Sequence, residues 1–313
     1  MKKLLALLLS FLMLFTLTAC EEEDVDLALD IAIAVLEELE DYENAQSDAL
    51  PEYSGEGAES VEEIPEFSDV AYVAVNGNVP FFMPEEITDE SYEYYSELDE
   101  LGRCGVTMAC IGVDIMPTEE RGEIGSVKPT GWQSVKYDCV DGKYLYNRCH
   151  LIGFQLAGEN ANKRNLITGT RYLNIEGMLP FENLVADYVQ ETKNHVLYRV
   201  TPLFDGDDLV AHGVLMEGWS VEDDGEGICF NVCAYNVQPG VIIDYATGAS
   251  TIDEEFLSQG EQENFVLNTS SKTIHMPTCG GAKTITAKNR KDYTGTRILL
   301  IAKGYKPCGQ CKP

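Results

Sequence analysis

Six strand-like runs between residues 67 and 250 restrict the fold of this chain more than any other feature of its sequence. Apolar and aromatic residues dominate these runs, and turn signals such as Asn76-Gly77 lie between them. The runs lie at residues 71–75, 105–113, 143–148, 195–204, 209–221 and 228–237. They predict a domain that is rich in β-strands.

One amphipathic helix is predicted among the strands. Phe181, Leu184, Val185 and Tyr188 recur at i, i+3, i+4 and i+7, and Pro180 suits the first helical turn. Helix and strands together predict a mixed α+β domain from residue 67 to residue 250.

The flanks of this domain differ from it in charge. The whole chain has a formal net charge of −31, and this charge is distributed unevenly. Residues 21–66 hold eighteen acidic residues and no basic one, which predicts a solvated acidic tether. Residues 264–313 hold nine bases and one acid, which predicts a small basic module behind a linker at residues 251–263. A uniformly acidic chain would argue against a polyanionic partner, whereas a basic module on an acidic body does not.

The first twenty residues indicate export. Lys2 and Lys3 precede an apolar run that is too short for a stable membrane span, and this pattern is typical of a secretory signal. The small residues before Cys20 resemble a bacterial lipobox, which predicts a signal peptide over residues 1–20 and a lipid on Cys20. We therefore expect a lipoprotein on the outer face of the bacterial cell membrane; the alternative is an ordinary signal peptide with a cysteine near its cleavage site.

One group of residues carries recognisable chemistry, although the chain has only four histidines. His150 directly follows a predicted strand, and its near-neutral imidazole is suited to deprotonating water. Amide and carboxylate side chains follow, and their oxygens suit a Mg²⁺ ion that keeps most of its waters. These side chains are Asn160, Asn162, Asn165, Asn174 and Glu182. The set is consistent with metal-assisted hydrolysis of phosphodiesters.

The same residues resemble the sugar-nonspecific DNA/RNA endonuclease family of ββα-metal nucleases, especially the membrane-anchored DNA-entry nucleases and secreted DNases of Gram-positive bacteria. The family's Asp-Arg-Gly-His motif corresponds to residues 147–150, and its two asparagines nine residues apart correspond to Asn165 and Asn174. The similarity extends from about residue 70 to residue 244. It implies a ββα-metal domain with a central antiparallel sheet, and an enzyme that cleaves DNA and RNA with little sequence specificity.

The resemblance implies a role for each matching residue. His150 would take a proton from water, Asn174 would bind Mg²⁺ directly, and Glu182 would hold metal-bound water, giving products with 5′-phosphates. Two positions depart from the family: Asn147 replaces its aspartate, and Cys149 replaces its glycine and adds a side chain beside the base.

A further departure concerns positive charge near the leaving group. In some members an arginine lies one turn after the glutamate, where this chain has Ala186. Arg121, Arg148 or Arg171 would then supply the charge. No organic cofactor is expected.

Basic residues concentrate around the predicted site. From Arg121 to Arg171 there are eight bases and four acids, whereas the domain as a whole is strongly acidic. A phosphate backbone requires such a locally positive track. The residues expected to contact nucleic acid are Lys128, Lys163, Arg164 and Asn165.

The basic module contains a pattern typical of a metal site. His275 and Cys279 form a His-x₃-Cys pair, and Cys308 and Cys311 form a Cys-x₂-Cys pair, which together predict a Cys₃His site for structural Zn²⁺. A unit of this size with few large apolar residues needs such a link to fold. The alternative is a disulfide between Cys279 and one of the other two cysteines. The charge suits nucleic acid, and anionic cell-wall polymers would suit it equally.

Two functions of different classes are compatible with the sequence. The first is a lipid-anchored, Mg²⁺-dependent endonuclease; the second is a catalytically silent nucleic-acid-binding lipoprotein whose site has decayed at Asn147 and Cys149. A toxin with a nuclease warhead is disfavoured, because the nuclease segment is internal and no delivery module is recognisable. The pairing of the six cysteines in the domain, the oligomeric state and the biological role are left open.

Overall fold

The computed structural model describes residues 66–67 and 69–313. The predicted signal peptide, the lipidation site Cys20 and the tether up to residue 65 lie outside the described residues. Within the described part, no helix combines the length and the apolar character needed to cross a membrane.

The described residues form fourteen strands and five α-helices. The strands are β1 (Tyr72–Ala74), β2 (Tyr92–Tyr95), β3 (Thr107–Ile111), β4 (Tyr146–His150), β5 (Leu166–Thr170), β6 (Val196–Leu203), β7 (Gly213–Ser220), β8 (Cys229–Tyr235), β9 (Val241–Asp244), β10 (Ala249–Ile252), β11 (Glu263–Asn268), β12 (Thr273–His275), β13 (Arg290–Gly295) and β14 (Lys306–Pro307). The helices are α1 (Phe154–Ala157), α2 (Leu179–Thr192), α3 (Glu254–Ser258), α4 (Gly280–Lys283) and α5 (Arg297–Ala302). A π-helical turn, Leu173–Met178, runs directly into α2.

The centre of the part of the chain predicted as the α+β domain is a six-stranded sheet in the order β1-β8-β7-β6-β3-β2. Every neighbouring pair in this sheet is antiparallel. The α+β class and the central antiparallel sheet are therefore confirmed.

One face of the sheet carries the main core. Successive residues of a strand point to opposite faces of the sheet. Tyr198 and Val200 of β6 therefore face this core, and Leu197 faces the other side. The β4–β5 hairpin and helix α2 pack on the main-core face through residues such as Ile167 and Val185. The hairpin and α2 carry the candidate site, and the residues through which they pack on the sheet are buried.

Helix α2 begins near the predicted point, with Pro180 in its first turn, but its buried face differs slightly from the expected one. Val185 and Val189 are fully buried, whereas Leu184 is 48% exposed. The helix lies against a sheet and buries only a narrow stripe, so Leu184 falls at the edge of that stripe.

The strand predicted at residues 143–148 lies later, at Tyr146–His150, and its partner β5 was not predicted. All five residues of β5 and three of the five residues of β4 are buried, so neither strand shows the alternating pattern that marks a half-exposed strand. His150 is therefore the last residue of a strand, and not the residue after one.

The expected linker over residues 251–263 contains helix α3. The side chain of Asp253 accepts a hydrogen bond from the amide of Phe256, and Leu257 is buried. The hydroxyl of Thr296 donates to the carbonyl of Leu257, and Lys303 pairs with Glu254 at 2.9 Å. This segment thus packs against the C-terminal module.

The C-terminal module is a four-stranded sheet in the order β13-β11-β12-β14, with β12 and β14 parallel. Phe265, Leu267, Ile274 and Leu300 form its small buried core. A second small cluster surrounds Cys279.

Candidate active site

The β4–β5 hairpin places His150 at the end of a strand, opposite Leu166. The side chain is 5% exposed. Arg148, two residues earlier, lies on the same side of the strand, because strand side chains alternate. Both residues line one cleft of about 1160 Å³.

The hydrogen bonds of His150 define its tautomer. Its Nδ1 lies 3.2 Å from Nη2 of Arg121, and a guanidinium only donates, so Nδ1 is the acceptor. Its Nε2 therefore carries the proton and donates to the carbonyl of Asn160 at 2.9 Å. Burial, together with the charge of Arg121, lowers the pKa of His150 below its ordinary value. The imidazole is thus neutral at pH 7, with its basic nitrogen on the Arg121 side.

Asn160 holds the imidazole through its backbone, a role that the sequence did not reveal. Its own side chain accepts a hydrogen bond from the amide of Gly122 at 2.6 Å. This contact joins the loop that carries Arg121 to the loop that orients His150. Backbone carbonyls leave no side-chain signature, so only the structure identifies this orienting group.

The expectation that Asn165 contacts nucleic acid is wrong. The side chain has no exposed surface, and it pairs with both backbone groups of Ile152, accepting from the amide at 2.8 Å and donating to the carbonyl at 3.0 Å. A side chain without exposed area cannot reach a substrate. Asn165 instead fixes the chain directly after His150.

Asn174 and Glu182 reach the same cleft from the helical segment. In an unbroken α-helix, residues eight apart differ by about 80° around the axis. The π-helical turn from Leu173 to Met178 accommodates one additional residue, so Asn174 and Glu182 are placed as if they were seven residues apart in an α-helix. Their directions around the helix axis then differ by only about 20°. The π turn therefore brings both oxygen-bearing side chains to one face.

The start of the π turn is anchored by Thr170, the last residue of β5. Its hydroxyl accepts from the amide of Leu173 at 2.9 Å and donates to the carbonyl of Val237 at 2.6 Å. The helix that carries Asn174 is thereby tied to the end of the hairpin that carries His150.

The surroundings of Glu182 do little to stabilise the charged form of its carboxyl group against the cost of burial. Burial raises its pKa to about 7, although Arg121 and a hydrogen bond from Gln155 act in the opposite direction. A Cβ at Gly153 would lie 2.7 Å from its Oε2, so a side chain at residue 153 would displace the carboxyl from its present position. A partly desolvated carboxyl that shares the cleft with the Asn174 amide is a donor set that fits a hard divalent cation.

The cleft collects most of the predicted residues but not all of them. From the predicted set it contains Arg121, Lys128, Arg148, His150, Arg171, Asn174 and Glu182. Lys163 and Arg164 do not line it, and Arg164 is paired with Glu97 at 2.6 Å. The expected contact of these two residues with substrate in the cleft is not supported by their position.

The three candidate arginines have different surroundings. Arg148 donates to the carbonyls of Val127 and Gly125 and lies 4.1 Å from the ring of Trp132, so it organises the cleft wall. Arg171 is paired with Asp141 at 2.9 Å. Arg121 contacts His150 and acts electrostatically on Glu182, and it is exposed. Arg121 is the arginine best placed to meet a substrate phosphate beside the base.

Cys149 does not lie beside the base, contrary to the expectation from the sequence. The side chain is fully buried in the main core, and a Cβ at Gly169 would lie 2.3 Å from its Sγ. Adjacent residues of a strand point to opposite sides, which separates Cys149 from His150. The nine cysteines of the described chain are all free thiols.

We expect Cys149→Gly to reduce stability and to leave the turnover rate near that of the wild type. The lost burial of the sulfur, together with a glycine inside a strand, should lower the free energy of unfolding by about 2 kcal/mol. Denaturant unfolding and kcat at 25 °C measure the two effects, with Cys149→Ala as a control that avoids the glycine. A large loss of kcat in a folded variant would contradict the separation of Cys149 from the base.

The C-terminal module brings together the second predicted set. One ligand atom each from His275, Cys279, Cys308 and Cys311 lies within 4.8 Å of the others. Nδ1 of His275 is buried without a hydrogen-bond partner. A Cβ at Gly281 would lie 3.3 Å from that nitrogen and 3.6 Å from the Cys279 sulfur, so a larger residue there would press on the edge of the cluster. A histidine with a buried, unpartnered nitrogen, clustered with three cysteines, fits a tetrahedral metal site.

Backbone amides donate to two sulfurs of this cluster. The amides of Cys311 and Gln310 lower the pKa of Cys308. The amide of Met276 donates to the Cys311 sulfur at 3.4 Å, whereas burial and the neighbouring Cys279 and Cys308 raise the pKa of Cys311. The parallel pairing of β12 with β14 holds the two halves of the cluster together, with the amide of Cys308 bonded to the carbonyl of Ile274.

Part of the chain matches a known protein family. Residues 84–221 match the family model described as DNA/RNA non-specific endonuclease. The chain is similar to NucA from Streptococcus agalactiae with magnesium ion bound, at 26% identity and a TM-score of 0.55, over 63% of this chain and 93% of NucA. NucA with no metal bound gives 26% identity and a TM-score of 0.54, over 63% of this chain and 94% of NucA.

A second nuclease shows the same relationship. The chain is similar to Sda1 nuclease with bound zinc ion at 26% identity and a TM-score of 0.50, over 57% of this chain and 95% of Sda1. The matched region contains the cleft with His150, Asn174 and Glu182. Residues 84–221 thus match the DNA/RNA non-specific endonuclease family, and together with the similar nucleases this match supports a metal-dependent endonuclease.

Proposed function

We propose that the protein is a secreted, lipid-anchored, Mg²⁺-dependent endonuclease that hydrolyses DNA and RNA with little sequence selectivity and leaves 5′-phosphate ends. The observation that carries this proposal is the neutral His150 in the same cleft as Asn174 and Glu182. The magnesium ion bound to the similar NucA supports the choice of metal.

Asn174 and Glu182 are the residues that would hold Mg²⁺, Asn174 directly and Glu182 through water. When bound, the ion supplies positive charge next to the scissile phosphate and the departing oxygen. The chain itself supplies the base. Nδ1 of His150 accepts a proton from the attacking water, and the carbonyl of Asn160 stabilises the resulting imidazolium through Nε2.

The remaining cleft residues bind the substrate backbone. Arg121 would meet the phosphate beside His150, while Lys128 and Arg171 extend the positive track along the cleft. Water forms the new bond to phosphorus as the bond to the 3′ oxygen breaks, so the phosphate stays on the 5′ end. Since these contacts are directed to phosphate and sugar, low sequence selectivity is expected.

Incubation of the purified chain with plasmid DNA or RNA tests the proposal directly. Cleavage with Mg²⁺ that stops with EDTA supports it, as do products that a ligase accepts without prior phosphorylation. Binding without cleavage under any divalent cation would contradict it and favour the silent nucleic-acid-binding alternative.

We expect Asn174→Ala to raise the Mg²⁺ concentration needed for half-maximal activity and to reduce kcat sharply. Glu182→Ala should have a milder effect, because its link to the ion runs through water. Asp187→Ala is a matched control, since Asp187 is an exposed carboxylate on α2 outside the cleft. A Mg²⁺ titration of all three variants checks the order, and a greater loss in Glu182→Ala would reverse the two ligand roles.

The C-terminal module is proposed to bind one structural Zn²⁺ through His275, Cys279, Cys308 and Cys311. It is also proposed to hold nucleic acid. All nine of its basic residues are exposed, and among them Arg290 and Lys303 form ion pairs with described residues. Anionic cell-wall polymers remain the alternative ligand.

Deletion of residues 264–313 is expected to raise KM at moderate salt and to leave kcat nearly unchanged. The difference in KM between full-length and truncated enzyme should narrow as salt increases, because counterion release drives this part of the affinity. Steady-state kinetics at several salt concentrations measure the effect. An unchanged KM at low salt would reject the nucleic-acid role and direct attention to the cell wall.

The export and anchoring part of the proposal rests on the sequence alone, because residues 1–20 lie outside the described part. Fatty-acid labelling of cells that express the wild type or Cys20→Ser tests it. Label on the wild type and none on the variant supports the anchor.

A further inference from the structure

The cleft has an aromatic side that the proposed chemistry does not use. Besides the residues near His150, its lining includes Trp132, Tyr144, Tyr146 and Phe154. Hydrolysis of a phosphodiester requires charge and a base, and not aromatic rings. These rings therefore need a separate explanation.

Three of the four rings offer little exposed surface. Trp132 and Phe154 are partly buried, and Tyr146 is 4% exposed with its hydroxyl bonded to the carbonyl of Gly248. Tyr144 differs, because it is 49% exposed. It is the exposed aromatic side chain of the cleft lining.

The backbone holds Tyr144 firmly in place. Tyr144 forms an antiparallel bridge with Lys136, and the flanking pairs Tyr137–Lys143 and Val135–Leu145 are hydrogen-bonded through the backbone. Leu145, the next residue, is fully buried. An exposed ring on a paired ribbon anchored in this way loses little conformational freedom when it binds a ligand.

A cation accompanies the ring. Nζ of Lys136 lies 4.2 Å from the centroid of Tyr144. A ring that carries a cation, beside a positive cleft, matches what unpaired nucleotides require: stacking for the base and positive charge for the adjoining phosphate.

We propose that Tyr144, assisted by Lys136, forms a subsite that stacks an unpaired nucleobase, so that the enzyme favours single-stranded over duplex nucleic acid. The inference rests on the proposed function and adds a substrate class to it. Bases within a duplex are stacked on each other and cannot present a free face to Tyr144. A duplex would therefore gain only the phosphate contacts.

Binding of oligonucleotides that carry 2-aminopurine tests the subsite, because the fluorescence of this base falls when it stacks on a ring. The full-length chain with His150→Ala is used without added Mg²⁺ and without a chelator, so the substrate stays intact and the C-terminal metal site is not stripped. Adding Tyr144→Leu or Tyr144→Gln should weaken single-strand binding about tenfold and abolish the fluorescence change. Tyr144→Phe should retain both.

Two controls isolate the ring. Tyr94→Leu removes a tyrosine that is 53% exposed on β2, outside the cleft, and it should match its parent. Lys136→Gln should weaken binding less than Tyr144→Leu does. It should also reduce the salt dependence of the binding constant by the amount expected for the loss of about one phosphate contact. Thermal unfolding confirms that each variant is folded.

The outcomes separate this inference from the proposed function. Single-strand binding within twofold of the parent in both ring-less variants overturns the subsite, and so does an equal loss on single strands and duplexes. Failure of the wild type to cleave any nucleic acid with Mg²⁺ overturns the proposed function, while the fluorescence result still decides the subsite.

Discussion

Replacing His150 with alanine is expected to reduce kcat by about 100- to 10,000-fold, the range that a positioned general base contributes. The variant loses the nitrogen that accepts the proton of water, and it keeps Arg121, Lys128 and Arg171 for phosphate binding. We therefore expect nucleic-acid affinity without added Mg²⁺ to stay near that of the wild type. Single-turnover cleavage and fluorescence anisotropy measure the two effects.

The other histidines supply matched controls. His195 pairs with Glu222 at 2.6 Å and His212 pairs with Asp208 at 2.7 Å, and neither lines the cleft. Their alanine variants should keep cleavage within a few-fold of the wild type. Cleavage by His150→Ala within tenfold of the wild type, with loss in either control variant, would move the base to another histidine.

The pH dependence follows from the surroundings of His150. Burial and Arg121 lower its pKa, so the unprotonated base predominates at pH 7 and above. Protonation removes the base only as the pH falls through that lowered pKa. The rise of kcat/KM with pH attributed to His150 should therefore lie below pH 6.5, the ordinary value of histidine. Arg121→Ala should shift this rise to higher pH, because it removes the neighbouring positive charge.

Loss of zinc is expected to unfold the C-terminal module. Its core consists of Phe265, Leu267, Ile274 and Leu300 and a few partly buried neighbours. Such a core contributes only about 3–5 kcal/mol, whereas structural zinc contributes on the order of 10 kcal/mol or more. Hydrogen exchange should show residues 264–313 losing protection after chelation or in Cys308→Ser, with the central sheet as an internal reference.

Metal analysis checks the same prediction independently. We expect one zinc per chain in the wild type and none in Cys308→Ser, and Cys229→Ser should retain it because that cysteine lies outside the cluster. A chain without zinc whose mass shows a disulfide among Cys279, Cys308 and Cys311 would reject the metal. A module that stays protected without metal would reject the energetic argument.

The residues that carry chemistry were largely predictable from the sequence, the first set through its resemblance to a family's motifs and the second from its Cys/His spacing. His150, Asn174 and Glu182 meet in one cleft, and His275, Cys279, Cys308 and Cys311 meet in another place. In both cases the chemistry requires particular side chains at particular separations, and those requirements are visible in the sequence. The amphipathic helix was predictable for the same reason, since its period is local.

Burial and orientation were not predictable in the same way. Asn165 has the spacing of a site residue but lies in the core, and Cys149 is adjacent to the base in sequence but faces away from it. Lys163 and Arg164 share the charge of the cleft residues but lie outside the cleft. Charge and spacing do not specify which side of a strand or loop faces the substrate.

Sequence patterns were sufficient to predict the fold class, the Cys₃His set and the division into acidic and basic segments, because each depends on residue type and local period; the family resemblance added the catalytic set. The tautomer of His150, the π turn that aligns Asn174 with Glu182 and the exposure of Tyr144 in the cleft became apparent only in the folded chain. These features depend on contacts between segments that are distant in the chain. A carbonyl at residue 160, a hydroxyl at residue 170 and a paired ribbon at residues 135–145 provide them, and none has a signature in its own sequence.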